Sequence, residues 1–410
     1  MSEPRWIWQT KDWPRFHYDH AALSVALSLA RQAQGKLLGK ADAVGLANLG
    51  QAQRDIWIDD ALATSAIEGE TLNIDAVRSS VARRLGIASS FVAAAPRNIE
   101  GLLDTMEDAA ARWDSDLTPD RLCLWQAALF QDNAYAALKG VKVGAYRDDT
   151  EPMQIVSGPQ GHETVHYQAP SAAAVPAEMR LFIDWFNRSR TSQQTPNNTL
   201  PLDGIVRAGL AHLWFEVIHP FDDGNGRVGR AIVDMALAQD VKLPYRLHGV
   251  SQEMHRRQAA YYAALNVASV AGDGGRDGTY NTTAWLLWFV DAFHASCESA
   301  ARLIDESLQR ARFWSDHRQA DLNDRQRKVL NKMLEAGPGE FVGGMTARKY
   351  VSMTGITAIT ATRDLTELLA SGLVTRKGDG RSTYYDLAIP GWEWIPMKHK
   401  MIKLQPNATD

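Results

Sequence analysis

Ile218-His219-Pro220-Phe221-Asp222-Asp223-Gly224-Asn225-Gly226-Arg227-Val228-Gly229-Arg230 is the stretch that decides how this chain of 410 residues folds. An apolar run leads in (Leu210, Leu213, Trp214, Phe215, Val217, Ile218), and helical spacing leads out (Ala231, Ile232, Met235, Leu237). The pattern is helix, tight turn, helix. Gly224 and Gly226 open turn conformations that other residues avoid. The amides that follow then face outward at a helix N-terminus, where the dipole and unpaired N–H groups favour an anion. Arg227 and Arg230 lie three apart on that helix and reach over one face toward a polyphosphate. Asp223 is a candidate holder of a divalent cation that bridges phosphate oxygens. His219 is a candidate base, with an ordinary pKa of roughly 6.5. Singly, each residue reads as a solvated loop charge; gathered in one short stretch, they point to phosphate chemistry.

From His219 to Arg230 the string resembles, position by position, the Fic-domain signature His-x-Phe-x-(Asp/Glu)-Gly-Asn-Gly-Arg-x-x-Arg. The resemblance implies a mainly α protein, with a Fic helical core and a short β-hairpin flap. The activity it implies is transfer of AMP from ATP to a Tyr, Ser or Thr hydroxyl of a target protein, this chain included. His219 then deprotonates the hydroxyl, Asp223 binds Mg²⁺, and Gly224, Asn225, Gly226, Arg227, Val228, Gly229 and Arg230 hold the nucleotide, with Arg230 at the γ-phosphate.

A second signal lies upstream. Helical periodicity from about Val44 ends in Thr64-Ser65-Ala66-Ile67-Glu68-Gly69. An acid at a helix C-terminus opposes the dipole, so Glu68 is expected to have a partner elsewhere. The string resembles the Fic inhibitory motif (Ser/Thr)-x-x-x-Glu-(Gly/Asn). That resemblance implies that Glu68 pairs with Arg230 and takes the space of the γ-phosphate.

Composition sets the outer bounds. The chain is 45% hydrophobic and 22% charged, with a formal charge of −4. Those values fit a globular protein of two to three domains and exclude a polycation. Two distant cysteines, Cys123 and Cys297, have no metal-ligand spacing and read as thiols in a reducing compartment. There is no hydrophobic leader and no apolar run of ~18 residues, so the expectation is a cytoplasmic protein without a membrane partner.

Taken in order, residues 1–20 form an aromatic-rich arm packed on the body, and helices follow through 71–115. Thr118-Pro119-Asp120 starts another helix with a cap and a first-turn proline. Gln154–Ser157 and Thr164–Tyr167 flank a Gly158-Pro159-Gln160-Gly161 turn and read as a hairpin. By resemblance this flap positions the target through β-augmentation. Ser189–Pro201 and Gly272–Gly278 are loops, and His212 is structural. Tyr262, on a helix over Arg256–Asn266, is the candidate that flanks the adenine, as an aromatic does in Fic relatives.

At the C-terminus, helices over Asn323–Ala336, Thr346–Met353 and Thr357–Ser371 precede a β-wing around Gly378-Asp379-Gly380, the pattern of a winged helix. Asp324–Leu387 holds ten Lys/Arg and seven Asp/Glu, a net of +3. Its third helix and wing can touch phosphates but are thin in residues that read bases, so DNA contact and protein docking both stay open. The expected division is residues 1–115 with the inhibitory helix, 116–315 as the catalytic domain and 320–390 as the winged helix. A homodimer is expected by family analogy only. Two alternatives stand beside AMP transfer: removal of AMP by the same fold, and a DNA-binding regulator.

Overall fold

The computed structural model describes residues 6–44, 46–86, 95–131, 134–157, 164–190, 202–244, 246–271 and 280–395. The chain forms two compact units, Met1–Ile304 and Asp305–Asp410. The first unit opens with α1 (His20–Val44), α2 (Leu46–Ile67), α3 (Ile74–Arg84) and α4 (Arg97–Ala111). The helical stretch expected over residues 71–115 is made of two helices, α3 and α4. Asn73 caps α3 by accepting from the amides of Asp75 and Ala76, and Pro96 stands at the N-cap of α4. Proline lacks an N–H and disfavours helix in the residue before it, which suits it to that boundary.

Next come α5 (Pro119–Leu129), capped by the Thr118 hydroxyl on the Arg121 amide, and α6 (Ala134–Lys139). Strands β1 (Gln154–Ser157) and β2 (Thr164–Gln168) pair antiparallel, with one irregularity between Ile155 and Val156. The turn expected at Gly158–Gly161 lies outside the described residues, as do most of the Ser189–Pro201 loop and the Gly272–Gly278 loop. The unit continues through α7 (Val175–Arg188), α8 (Gly204–Ile218), α9 (Asn225–Val241), α10 (Val250–Arg256), α11 (Gln258–Ser269) and α12 (Thr283–Asp316).

Helix α8 is the axis of this unit. It is apolar on all sides, and every one of its residues except Glu216 is buried. A helix of that kind has to be covered all round. Asp203 caps it, accepting from the amides of Ile205 and Val206, and Arg31 of α1 pairs with that same carboxylate at 2.7 Å. Helix α9 returns along α8 after a tight loop, so the two helices present that loop at one end of the core. The aromatic N-terminal arm closes over this region. Trp6 meets Tyr167 of β2 edge-on at 5.2 Å, and Trp13 and Phe16 pack on Trp214 of α8 at 5.9 and 5.4 Å.

In the second unit, the last turns of α12 are followed by α13 (Asp324–Ala336), α14 (Ala347–Thr354), α15 (Ala358–Ala370), β3 (Val374–Lys377) and β4 (Tyr384–Leu387). Asn323, Thr346 and Thr357 cap the three helices with their side chains. Strands β3 and β4 pair antiparallel, and Met345 bridges to Tyr385. Val329, Leu330, Tyr350, Leu365, Leu368 and Leu373 fill the interior. Among the described residues, no helix is long and apolar enough to cross a membrane.

Candidate active site

His219 sits where α8 stops, with φ 50° and ψ 61°. That left-handed conformation is uncommon for a residue with a side chain and persists where neighbours over-determine it. Here they do. Arg147 donates from Nε to the His219 carbonyl at 2.8 Å, and from Nη2 to the carbonyls of Pro170 at 2.6 Å and Ile218 at 3.3 Å. The Arg147 amide donates to Pro220 O at 2.9 Å, and the Tyr167 hydroxyl of β2 donates to Val217 O at 2.5 Å. The hairpin and the segment before it thus hold the turn that carries the imidazole.

The rest of the loop is braced from within. The Asn225 carboxamide accepts from the Phe221 amide at 2.9 Å and donates to Phe221 O at 2.7 Å. These two bonds to the main chain make Asn225 a brace of the loop, with one N–H of its amide left over. Asp222 accepts from the Lys142 amide at 2.8 Å. Gly224, at φ 88°, forms the N-cap of α9. The first helical bond runs from the Val228 amide to Gly224 O at 3.0 Å. The amides of Asn225, Gly226 and Arg227 precede it and remain available to an anion.

Two of the residues expected at the nucleotide face inward. Val228 is a fully buried core side chain whose amide is already used within the helix, and Gly229 is buried against Glu216 and His212. The helical repeat turns both positions inward onto α8.

The outward positions carry the two arginines, and each meets an acid from the end of α2. Arg230 donates from Nη2 to Glu68 Oε1 at 2.7 Å, and to Thr64 through Nε (Oγ1, 2.6 Å) and Nη2 (main-chain O, 3.0 Å). A Cβ at Gly226 would overlap Glu68 Oε1, so only glycine lets that carboxylate come so near the start of α9. Arg227 donates from Nη1 to both oxygens of Glu70 at 3.0 Å, and its guanidinium lies 5.3 Å from the centre of the Phe130 ring. Further back, Asp60 of α2 pairs with Arg246, which also meets Asp234 of α9 at 2.7 Å. That buried set ties α2 to the catalytic helix, since removing one member of a buried ion pair is strongly unfavourable.

The electrostatics follow from this packing. Burial works against the Glu68 charge, but Arg230 foremost, then Arg227 and His219, hold its carboxyl below the ordinary range. Burial and the nearby Arg147 charge push His219 down to about 4, against opposing pulls from the Glu216 carbonyl and the Glu68 charge. It is therefore a neutral imidazole at pH 7. Burial also raises Glu216 to about 8, with Arg230 pulling the other way.

Asp223 stands at the mouth of the loop, its side chain 34% exposed, with Oδ1 accepting from the Gly224 amide at 2.6 Å. Among the described residues, no group of three or more His, Cys, Asp or Glu is arranged to hold a metal ion. A single carboxylate still suits Mg²⁺, which takes one or two carboxylates and completes its shell with phosphate oxygens and water. In that respect the residues present fit the ion.

Tyr262 is half exposed, and its hydroxyl donates to Ile67 O at 3.2 Å, beside the end of α2. Its neighbour Tyr261 is buried and bonded to His212 Nε2 at 2.8 Å, consistent with a structural histidine. A cleft of about 740 Å³ opens beside β1, lined among others by Arg147, Asp149, Glu151, Met153, Gln154 and Val165. Sequence reasoning missed Arg147, Tyr167, Glu70 and Glu216. Only Glu216 carried a local signal, as a lone acid in an otherwise apolar helix.

Comparison with known proteins agrees with the fold and the loop. The model of the Fic/DOC family matches residues 116–237, and that of a domain of unknown function, DUF4172, matches residues 6–87. The chain is similar to a probable protein adenylyltransferase of Aquifex aeolicus, 29% identical over 102 residues, covering 25% of this chain and 26% of that protein. It is also similar to a protein adenylyltransferase of Caenorhabditis elegans, 31% identical over 93 residues, covering 23% of this chain and 16% of that one. The matches thus span about a quarter or less of these relatives. The crystal structure of a Fic family protein from Desulfovibrio desulfuricans G20 shares the fold, with a TM-score of 0.51 at 20% identity over 92% of this chain and 98% of that one.

Proposed function

Because residues 116–237 carry a Fic domain, we propose that the protein transfers AMP from ATP to a Tyr, Ser or Thr hydroxyl of a target protein, and that Glu68 restrains this activity. One observation carries the reading. The start of α9 is an anion site next to a neutral imidazole, and the chain's own Glu68 carboxylate lies in it, on Gly226 and Arg230. A triphosphate offers the same charge to the same donors.

In the reaction, His219 takes the proton of the target hydroxyl. The oxygen attacks the α-phosphorus, a new O–P bond forms, and the bond to pyrophosphate breaks. Amides 225–227 and Arg227 hold the α- and β-phosphates, while Arg230, released by Glu68, meets the γ-phosphate. Such transfers depend chiefly on position and charge neutralisation, so an acid in the γ-site silences the enzyme by misplacing ATP. Asp223 would hold Mg²⁺, which would supply charge neutralisation at the phosphates. Tyr262 lies on the adenine side.

The target segment adds to β1, where Ile155 and Val156 are 45% and 46% exposed. Exposed apolar side chains on an edge strand suit a partner in extended form. Residues 1–115 supply the restraint, 116–315 the catalytic domain, and 320–390 a winged helix, a reading supported by the order of α13, α14, α15 and the β3–β4 pair.

The test is α-³²P-ATP incubated with lysate and the Glu68→Gly variant. Label on protein from the α-position and none from γ-³²P-ATP is expected, with His219→Ala inactive. Label from the γ-position, or transfer by His219→Ala, would overturn the proposal.

A further inference from the structure

Every residue of α8 is buried except Glu216, which lies one helical turn before His219. Glu216 Oε2 stands 3.8 Å from His219 Nδ1. Glu216 Oε1 and His219 Nδ1 are both buried without a hydrogen-bond partner among the described residues. A buried polar atom left unpaired is destabilising, so two in one small space need a reason. Arg230 does not supply it, because the hydrogen bonds of its guanidinium go to Thr64 and Glu68. Space for the carboxyl is made on purpose: a Cβ at Gly229 of α9 would collide with Glu216 Oε1.

We propose that Glu216 is a positioning residue for His219: its carboxyl accepts the Nδ1–H, leaving the Nε2 lone pair to face the target hydroxyl. The inference rests on the AMP transfer proposed above, with His219 as its base. In a neutral imidazole one nitrogen donates and the other accepts, and the partner of one decides the tautomer of both. Hydrogen bonds of this kind are often long in the free enzyme and tighten with substrate. Closing 3.8 Å to about 3 Å asks only for a small adjustment of two side chains. As the target oxygen bonds to phosphorus and pyrophosphate departs, the hydroxyl proton moves to Nε2. The imidazolium then keeps its other N–H on Glu216 until the Nε2 proton leaves to solvent. Burial keeps Glu216 and His219 both neutral at pH 7, so the contact is a hydrogen bond and not an ion pair.

The experiment compares Glu216→Ala with Glu216→Gln, each in the full chain carrying Glu68→Gly. Glu216→Ala should lower kcat for AMP transfer by about 100-fold, the lower end for acid–base assistance, with KM for ATP unchanged. Glu216→Gln retains an acceptor oxygen and should stay within about tenfold of the parent. Imidazole ¹⁵N–¹H NMR should find His219 as the Nδ1–H tautomer in the parent and in Glu216→Gln, and as a mixture in Glu216→Ala. Unchanged kcat and tautomer in Glu216→Ala would overturn the inference, because the nearby Glu216 carbonyl would then suffice. So would a Glu216→Gln variant as inactive as Glu216→Ala. Should Glu216→Ala not fold, the Nδ1–H shift decides: a shift that moves in Glu216→Gln would sustain the role, and Nε2–H in the parent or an unmoved Nδ1–H would refute it, since the Glu216 carbonyl is common to both. Transfer by His219→Ala would instead bring down the assignment of the base, a separate failure.

Discussion

Glu70 lies across Arg227, both of its oxygens accepting from Nη1 at 3.0 Å. With Glu68 on Arg230, the end of α2 and the residues just after it cover both arginines of α9. Glu68 takes the arginine proposed for the γ-phosphate, and Glu70 would compete with the phosphates proposed at Arg227. Glu70 is 34% exposed, so solvent weakens its hold, and exposed pairs are worth at most about 1 kcal/mol. Added to Glu68→Gly, Glu70→Gln should raise AMP transfer about two- to fivefold, mainly as a lower KM for ATP. Initial rates against ATP concentration check this, and an unchanged KM would mean that Arg227 does not meet the nucleotide.

Glu68, its own side chain 29% exposed, is held more tightly because its partner is a guanidinium only 3% exposed, met by a charge-assisted bond of 2.7 Å. Such bonds contribute about 1.5–3 kcal/mol, so Glu68→Gly should raise transfer by about 10- to 100-fold. Thr64→Val should raise it less, because Glu68 stays on Arg230. It should also lower the thermal midpoint, since Arg230 Nε loses the 2.6 Å bond to Thr64 Oγ1 and is left buried. Transfer assays and melting curves on the two variants separate these effects. Equal activation by both would show that Glu68 restrains only while Thr64 holds Arg230 in place.

The candidate loop was legible because its chemistry is contiguous: the proposed base, the proposed cation carboxylate, the glycine turn and both arginines fall between His219 and Arg230. Thr118-Pro119 was legible for the same reason, a cap being a local device. What stayed hidden acts across the chain. Glu70 and Arg227 are 157 positions apart, and Arg147 and His219 are 72 apart. No periodicity reports such a pair. Asn225 hid a second role: its type suits a phosphate contact, and only the loop geometry reveals that both ends of its amide also brace Phe221. Val228 and Gly229 sit inside the motif yet turn inward, because a helix presents just part of its surface to any one ligand.

Arg147 is the test of how the His219 turn is held. Buried at 3% exposure, it donates to three carbonyls around the base. Arg147→Ala should cost about 3 kcal/mol or more of stability through those unpaired carbonyls, and should lower kcat as the left-handed turn relaxes. Arg147→Lys should not rescue it, because a single ammonium cannot replace a planar fork. Denaturant unfolding and transfer assays measure both effects. A lysine variant with parental stability and kcat would show that charge alone holds the turn.

Acid should take stability from this fold through its histidines. Burial holds His212 and His248 down to about 3 and His219 to about 4, each helped by a neighbouring arginine (Arg230, Arg246 and Arg147), against an ordinary value of 6.5. A folded pKa below the unfolded one contributes stability that is complete above the unfolded value and is lost as pH falls through the folded one. The three histidines should therefore leave stability intact near pH 6.5 and remove it progressively down to pH 3–4. Glu216 has the opposite sign: raised from 4.5 to about 8 by burial, it contributes stability below its unfolded value that fades as pH rises through 8. Burial likewise raises Asp59 to about 6 and Asp234 to about 7, and both share the sign of Glu216. Below pH 6.5 the three histidines and the three acids oppose one another, and above it Glu216 and Asp234 act alone, so thermal midpoints should fall from pH 6.5 to pH 8. His248→Gln removes one of the opposing histidines and should raise the midpoint at pH 4 relative to that at pH 6.5. A variant whose midpoint tracked the parent's across that range would mean that the buried imidazole accepts a proton without disturbing the fold, and the neutral base assigned to His219 would lose its physical footing.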